Sequence, residues 1–380
     1  MKKYIILLLS LIQLSAMAQE NREIIYVGTF SEKGSKGIYV LDFDRETMSY
    51  SEIQTVHDKK SPSFLALHPN KKYLYAAYRE GVNENDKAGT IISYAIDPKT
   101  GRLSKINQVS SMGASPCHIS VDPNGNVLFV SHYQGGNLST FKILEGGRLS
   151  ESVSFIQHEG SSVHPGSQTQ ARMHSMIPSK DGKWVYASDL GMDQILKYKV
   201  NAKKGSLNKN PKIIHTNAGA GPRHFVLHPF LPYAYSVEEL SSTVGIYEVQ
   251  PGNGDLKPIG REEMLSPHIQ SDFNAAADIQ VTNNGKWLYA SNRGQDNIVM
   301  YQINVNNGLL SLIGHVPSGG EHPRNIKIDE RGVLVWVANG ESGHVALFKI
   351  DQDSGKLIPL HKTHPISRAV FVDQLFLGTE

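Results

Sequence analysis

Apolar and polar residues alternate along most of the chain, in short runs that end at turns rich in Gly, Asn and Asp. A spacing of two is typical of strands with one buried face, whereas an amphipathic helix repeats its apolar positions every three or four residues. The pattern also lacks the long, capped segments that helices require. The alternation therefore predicts an all-β chain.

A repeat organises these strands. An aromatic residue occupies the same place in seven apolar runs: Tyr26, Tyr75, Phe129, Tyr186, Tyr235, Tyr289 and Trp336. Successive positions are 49, 54, 57, 49, 54 and 47 residues apart, which is the range of propeller blades. An apolar strand precedes the aromatic strand in the last six units, and an alternating strand and a more polar strand follow it. We therefore expect a seven-bladed β-propeller with four-stranded antiparallel blades.

The two ends of the repeat complement each other. The first unit lacks an opening strand, because its aromatic strand begins near Ile24. The run Ile366–Asp373 has the character of an opening strand, but no aromatic strand follows it. We expect this run to pair into the first blade and close the ring, which removes two exposed sheet edges. Residues 19–380 would then form a single domain.

The first residues have the features of a targeting segment. Lys2 and Lys3 precede a short apolar run from Ile5 to Leu14, and Ala16-Met17-Ala18 offers a small-x-small cleavage site. The apolar run is too short to span a bilayer. We therefore expect a signal peptide over residues 1–18 and export to the periplasm or the cell exterior. An N-terminal membrane anchor is the alternative.

Composition and charge mainly exclude functions. The formal charge is +2 and falls to zero once Lys2 and Lys3 are removed, which gives no support to nucleic-acid or membrane binding. The one cysteine, Cys117, excludes an internal disulfide and a cysteine-rich metal site. The sequence motifs of metalloproteases, serine hydrolases, nucleotide-binding proteins and dinucleotide-dependent enzymes are missing. We expect neither a metal nor a cofactor.

Candidate functional side chains lie at one rim of the predicted ring. The start of an opening strand and the end of the next, antiparallel strand lie at the same rim. Just after the first residue of the opening strand, six units carry Ser63, Cys117, His174, Arg223, Ala277 and Arg324. Four positions after the aromatic residue, the seven units carry Phe30, Arg79, Tyr133, Leu190, Glu239, Arg293 and Gly340. Charged groups in a channel must pair or hold a ligand, so either a binding site or a ring of structural ion pairs is expected.

Several neighbouring residues bear on this site. The connection from Gln157 to Arg172 is unusually long, and long ordered loops are often functional. Cys117 and His118 are not expected to form a nucleophile–base pair, because adjacent strand residues point to opposite faces. Among the other histidines, we interpret His68 and His228 as turn residues. His158 and His164, on the long connection, could line the mouth or be solvated.

At these residues the chain resembles a known family. The stretches that carry the resemblance include Gly221-Pro222-Arg223-His224, Glu239-Leu240, Ser188 to Asp193, Leu288 to Gly294, and His322-Pro323-Arg324-Asn325. They are similar to motifs of the seven-bladed propeller lactonases, a family that includes a bacterial 6-phosphogluconolactonase and is related to a fungal carboxy-muconate cycloisomerase. The resemblance covers the chain after the signal segment and implies four catalytic positions: His174, Glu239, Arg223 and Arg293.

The chain also departs from the family pattern. Arg172-Met173-His174 stands where the family often has His-x-His, and Asp278 and Gln280 stand where it often has Glu and His. We expect five further residues to contact substrate: Arg324, His224, Arg172, His118 and Asp278.

The resemblance and the rim residues together suggest a metal-independent lactonase of carbohydrate metabolism that acts on a small sugar-acid lactone. His174, with a pKa near its ordinary value, would be the general base. Glu239 would orient the substrate as a carboxylate or protonate the leaving oxygen as an acid of raised pKa. Arg223 and Arg293 would hold an anionic group of the substrate. The alternatives are a muconate-type cycloisomerase that uses the same residues and a non-catalytic binding propeller.

Overall fold

The computed structural model describes residues 22–58, 60–81 and 87–377, so the predicted signal peptide, residues 1–18, lies outside the described residues. The first blade contains β1 (Glu23–Thr29), β2 (Gly37–Asp44), β3 (Ser49–His57) and the last strand of the chain, β29 (Ala369–Phe376). The second contains β4 (Pro62–Leu67), β5 (Tyr73–Tyr78), β6 (Thr90–Ile96) and β7 (Leu103–Ser110). The third contains β8 (Pro116–Val121), β9 (Val127–His132), β10 (Asn137–Ile143) and β11 (Leu149–Gln157), with a 3-10 turn over Glu145–Gly147.

The remaining four blades follow in chain order. The fourth contains β12 (Met173–Pro178), β13 (Trp184–Asp189), β14 (Gln194–Asn201), β15 (Ser206–Leu207) and β16 (Lys212–His215). The fifth contains β17 (Pro222–Leu227), β18 (Tyr233–Glu238), β19 (Thr243–Val249) and β20 (Leu256–Glu263). The sixth contains β21 (Ala275–Val281), β22 (Trp287–Arg293), β23 (Asn297–Ile303) and β24 (Leu310–Pro317). The seventh contains β25 (Pro323–Ile328), β26 (Leu334–Asn339), β27 (His344–Ile350) and β28 (Leu357–Pro365).

The seven antiparallel sheets form a ring around a central channel. Their innermost strands, β29, β4, β8, β12, β17, β21 and β25, pack side by side in that order, and β25 packs against β29 again. β29 pairs with β1 over the range from Glu23 opposite Phe376 to Thr29 opposite Ala369. The structure therefore confirms the seven-bladed propeller and its closure by the C-terminal strand.

The aromatic repeat has a structural cause. Each aromatic side chain is buried in the second strand of its blade, and the tyrosine hydroxyls donate to a glycine carbonyl in a turn of the next blade. These bonds run from Tyr26 to Gly101, Tyr75 to Gly147, Tyr186 to Gly254, Tyr235 to Gly308 and Tyr289 to Gly355, at 2.7–3.2 Å. Phe129 has no hydroxyl, and the residue opposite it, Thr140, donates instead to Gly205 at 2.7 Å. The aromatic repeat therefore coincides with hydrogen bonds that join neighbouring blades.

One irregularity recurs at the start of the inner strands. The pairing register skips one residue there, which is a β-bulge, and a bulge turns the skipped side chain away from the ladder. The skipped residues are Ser63, Cys117, His174, Arg223, Arg324 and Val370, while β21 skips Ala277 and Asp278. The bulges occupy the rim positions at which the sequence places its candidate chemistry.

Candidate active site

A single carboxylate lies between two arginines at the rim. Glu239 follows β18, and its Oε2 is 2.8 Å from Arg223 Nε and 2.8 Å from Arg293 NH2. Arg223 stands at the bulge of β17, and Arg293 is the last residue of β22. The Glu239 backbone N–H donates to Gly221 O (2.7 Å), and its carbonyl accepts from Ala276 N (3.2 Å). These bonds fix Glu239 between the fifth and sixth blades.

Backbone carbonyls hold the two guanidinium groups in place. Arg293 donates from Nε to Ala275 O (3.1 Å) and from NH2 to Ala276 O (3.2 Å), and Arg223 NH1 donates to Ala277 O. Burial lowers the pKa of Arg223 to about 10, and the nearby charge of Arg293 acts in the same direction. Burial alone would raise the pKa of Glu239, but the positive charges of Arg293, Arg223 and Arg324 hold it below its ordinary value. Glu239 is therefore a carboxylate at neutral pH rather than an acid of raised pKa.

His174 stands at the bulge of β12 and is enclosed. Its side chain is 3% exposed, and its ring centroid lies 5.6 Å from that of Tyr133 and 5.4 Å from that of His224. Its Nδ1 is buried and has no hydrogen-bond partner among the described residues. Burial first, and then the charge of Arg223, lowers the pKa of His174 well below its ordinary value. The expectation of a near-ordinary pKa is thus wrong, because the sequence does not show how closely the ring is surrounded.

Three of the predicted substrate contacts lie in a layer across the channel. We call this set the channel layer; it consists of Phe64, His118, His224, Asp278, Asn325 and Phe371. His224 Nδ1 donates to Asp278 Oδ1 (2.7 Å), which leaves Nε2 as the acceptor that faces Arg223 NH1 at 3.2 Å. Burial lowers the pKa of His224 to about 4 and that of His118 well below its ordinary value. Both histidines of the channel layer are therefore neutral at physiological pH, and His224 contacts Arg223 from the channel side.

The other two predicted contacts differ in how they are held. Arg172 donates from Nε to Ser167 O (2.8 Å), and its guanidinium lies 4.8 Å from the centroid of the Tyr133 ring. Arg324 stands at the bulge of β25 over the ring of Phe30, at 5.2 Å, and makes no hydrogen bond or ion pair with any described residue. Arg172 is therefore fixed beside His174, whereas Arg324 has no ion-pair partner among the described residues.

The long connection between β11 and β12 is anchored by Asp193, a residue whose role the sequence did not reveal. Its carboxylate accepts from Gln168 Nε2 (2.7 Å) and Ser162 Oγ (2.6 Å) on the connection. It also accepts from the backbone N–H groups of Gly219 and Gly221, each at 2.7 Å, just before Arg223. Asp193 lies in one of the family-like stretches, which was the one available signal. It joins the connection to the strand that carries Arg223.

Four other histidines that the sequence singles out have structural partners. His68 and His228 each lie at a turn with Nε2 3.0 Å from a glycine carbonyl, which confirms their interpretation as turn residues. His158 Nε2 lies 2.7 Å from Tyr198 OH, and exposed His164 accepts at Nδ1 from Ser167 N at 3.0 Å. Both therefore order the long connection.

Cys117 faces backbone carbonyls rather than a base. Its Sγ lies 3.4 Å from the carbonyls of both Met173 and His174, and burial raises the pKa of the thiol to about 11. His118 belongs to the channel layer and accepts at Nδ1 from Met176 N (3.4 Å). The bulge at Cys117 interrupts the regular strand alternation, so the different surroundings of the two side chains do not follow from alternation alone.

Neither a metal-ion cluster nor a membrane-spanning helix occurs among the described residues. No group of three or more His, Cys, Asp or Glu side chains there is placed to hold a metal ion. Residues 22–58, 60–81 and 87–377 also contain no helix with the length and apolar character needed to cross a membrane.

The fold and the rim define a class: a seven-bladed propeller whose channel mouth carries a carboxylate between arginines, beside a neutral histidine. Residues 24–374 match the family model Lactonase, 7-bladed beta-propeller, and the chain belongs to this family. It is 38% identical over 338 residues to a 6-phosphogluconolactonase of Formosa agariphila, covering 88% of this chain and 94% of that protein. It is 32% identical to a 6-phosphogluconolactonase of Bacillus subtilis, with 91% and 97% covered. The structure of a periplasmic gluconolactonase from Pseudomonas aeruginosa superposes with a TM-score of 0.85 at 27% identity, covering 93% of this chain and 99% of that chain.

Proposed function

We propose that this chain, a lactonase by family, hydrolyses a sugar-acid lactone at the mouth formed by His174, Arg223, Glu239 and Arg293. The observation that carries the proposal is the pair of guanidinium groups 2.8 Å from one carboxylate oxygen, beside an enclosed histidine. Two of the similar proteins are 6-phosphogluconolactonases and one is a gluconolactonase, which supports a small sugar lactone as substrate. The function belongs to carbohydrate metabolism.

His174 acts as the general base in this mechanism. Its lowered pKa keeps the imidazole neutral at physiological pH, so a ring nitrogen is free to accept a proton. Water attacks the lactone carbonyl and gives its proton to His174, and the carbonyl oxygen becomes an oxyanion. The oxyanion then collapses, the bond between the carbonyl carbon and the ring oxygen breaks, and the leaving oxygen takes the proton from His174. The sum is one lactone plus one water to one hydroxy acid.

The arginines and the carboxylate have complementary roles. Arg223 and Arg293 donate hydrogen bonds to the oxyanion as its negative charge develops. Stabilisation of this charge is the largest single contribution to the rate enhancement in many acyl-transfer sites. Glu239 orients both guanidinium groups and stays ionised throughout. Asp278, through His224, supports Arg223 from the channel layer. Catalysis by these groups requires no metal.

Export is the proposed location. Residues 1–18 have the basic, apolar and small-x-small regions of a signal peptide. The similar gluconolactonase of Pseudomonas aeruginosa is periplasmic. An exported enzyme would meet lactones outside the cytoplasm.

The test is lactone hydrolysis by the purified chain, followed by base consumption at constant pH and corrected for spontaneous opening. His174→Gln should lower turnover by about 100-fold or more, because it removes the general base. His215→Gln, the same substitution at an exposed site on β16 of the same blade, is the control and should leave the rate unchanged. Wild-type turnover by His174→Gln would refute the mechanism. Lactonisation of a muconate-like diacid without lactone hydrolysis would favour a cycloisomerase instead.

A further inference from the structure

Three guanidinium groups surround one aromatic ring on the side of the mouth opposite the fifth blade. The ring is Phe30, which directly follows β1. The guanidinium carbons of Arg79, Arg324 and Arg368 lie 5.0, 5.2 and 5.4 Å from its centroid. These residues come from the second blade, the seventh blade and the connection into β29, so the ring closure itself brings them together.

The three arginines differ in their partners. Arg368 lies 2.9 Å from Glu32 Oε2 and also pairs with Glu341, so its charge is balanced. The guanidinium groups of Arg79 and Arg324 make no hydrogen bond or ion pair with any described residue. Glu80, next to Arg79 in the chain, accepts from Ser61 Oγ at 3.2 Å and is not within ion-pair distance of Arg79. Stacking on an aromatic ring contributes too little to balance two neighbouring cations.

The pair lies at the same rim as the catalytic groups: Arg324 stands at the bulge of β25, which packs against β21 of the blade that carries Arg293, and Arg79 directly follows β5. The charge of Arg324 lowers the pKa of both Glu239 and His174. The charge of Arg79 acts on Arg324, and both arginines act on the thiol of Cys117 at the bulge of β8. The mouth thus has two cationic sides: on one, Glu239 pairs with Arg223 and Arg293, and on the other, Arg79 and Arg324 have no ion-pair partner among the described residues.

We propose that Arg79 and Arg324, supported by the ring of Phe30, form a second anion subsite that binds the terminal anionic group of the lactone. The group is a phosphate or a carboxylate, since both accept paired N–H donors from a guanidinium. The lactone carbonyl then lies at Arg223, Arg293 and His174. This assignment rests on the proposed function and identifies the residues that select a charged substrate over a neutral one.

The experiment compares three lactones: gluconolactone, which is neutral, 6-phosphogluconolactone, and the monolactone of glucaric acid, which carries a carboxylate. Arg324→Gln and Arg79→Gln should each raise KM for the preferred charged lactone by about 10- to 100-fold, the loss of one charge-assisted hydrogen bond or more, with kcat little changed. KM for gluconolactone should change by less than about threefold. The larger effect on the phosphate or the carboxylate substrate identifies the group.

Arg368→Gln is the matched control, because Arg368 contacts the same ring but is already paired with glutamates. It should leave the preference for charged lactones unchanged. An effect as large as that of Arg324→Gln would overturn the proposal, as would an equal rise in KM for all three lactones in Arg324→Gln. Arg324→Lys, which keeps the charge and loses the fork, should show an intermediate loss.

Two measurements do not depend on turnover. Calorimetry with inorganic phosphate and 6-phosphogluconate should show binding to the wild-type chain that weakens in Arg324→Gln, and no binding of either probe to the wild-type chain would overturn the subsite. Arg324→Gln should also unfold at the same urea concentration as the wild type or a higher one, because it removes a half-buried cation that has no ion-pair partner among the described residues. A clear loss of stability would make Arg324 a structural residue. Failure of every lactone to react would count against the proposed function, while phosphate binding would still test the subsite.

Discussion

Glu239→Gln tests the central feature of the mouth, a carboxylate that balances two arginines. The substitution keeps the shape of the side chain and removes its charge, which leaves Arg223 and Arg293 close together and unbalanced. Removing one partner of a buried ion pair costs about 3–5 kcal/mol. The side chain of Glu239 is 15% exposed, so water at the mouth solvates part of the remaining charge. We therefore expect the lower end of this range, about 3 kcal/mol of unfolding free energy.

An anion should restore much of that loss, because it can bind at the mouth beside Arg223 and Arg293 and balance their charges. A ligand at 100 times its Kd stabilises the folded state by about 2.7 kcal/mol. The assay is urea unfolding of the wild type and the variant, each with and without gluconate and phosphate. In the wild type Glu239 already pairs with Arg223 and Arg293, so the same anions should stabilise it less.

Glu238→Gln is the matched control for this experiment. Glu238 is the preceding residue, points away from the mouth and pairs with Arg261 (3.1 Å) and Thr243. Its loss should also destabilise the chain, but gluconate and phosphate should stabilise this variant no more than they stabilise the wild type. If Glu239→Gln unfolds at the wild-type urea concentration, or is destabilised and not rescued by either anion, the charge balance described here is incorrect.

Three further predictions follow from the fold and its titrating groups. Truncation after Arg368 removes β29, including the buried Val372 and Leu375, and should cause aggregation or a much lower melting temperature; unchanged thermal unfolding would show that closure is dispensable. EDTA should leave activity and melting temperature unchanged, whereas a loss restored by calcium would point to a metal site. Burial lowers the pKa of His132 to about 4, so as pH falls from 6.5 to 4 the unfolded state binds a proton that the folded state does not. Stability should then fall by about 1.4 kcal/mol per pH unit from this residue, and His132→Gln should remove that part of the slope in urea unfolding at each pH.

The architecture could be predicted because the residues that bond neighbouring blades recur once in each repeat of the sequence. Tyr235, for example, must supply a hydroxyl to the carbonyl of Gly308 in the next blade, at 3.0 Å. Gly308 has a φ of 73°, a left-handed conformation that glycine adopts without strain. Such a pair recurs in most blades, so both its members are visible in the sequence. The closing strand was visible for the same reason, as an opening strand without a partner.

The environment of the site could not be predicted in the same way. A period of two gives no sign of a β-bulge, yet the bulge at Arg223 lets both Arg223 and His224 face the channel and contact each other. The approach of Arg79 to Phe30 depends on the first and second blades lying side by side in the closed ring. The low pKa of His174 arises first from burial and then from Arg223, His224 and Arg324, which are separated along the chain and meet only at the mouth.

The excess of positive charge at the mouth connects binding to the proposed chemistry. Arg79, Arg223, Arg293 and Arg324 converge there around the carboxylate of Glu239, and the charges of Arg223, Arg324 and Arg293 add to burial in lowering the pKa of His174. A low pKa keeps the imidazole neutral but also makes it a weak proton acceptor. An anionic lactone would offset the arginine charges and raise the pKa of His174 while the substrate is bound. A neutral lactone would leave the field unchanged, so for the proposed reaction the charge of the substrate strengthens the base as well as the binding.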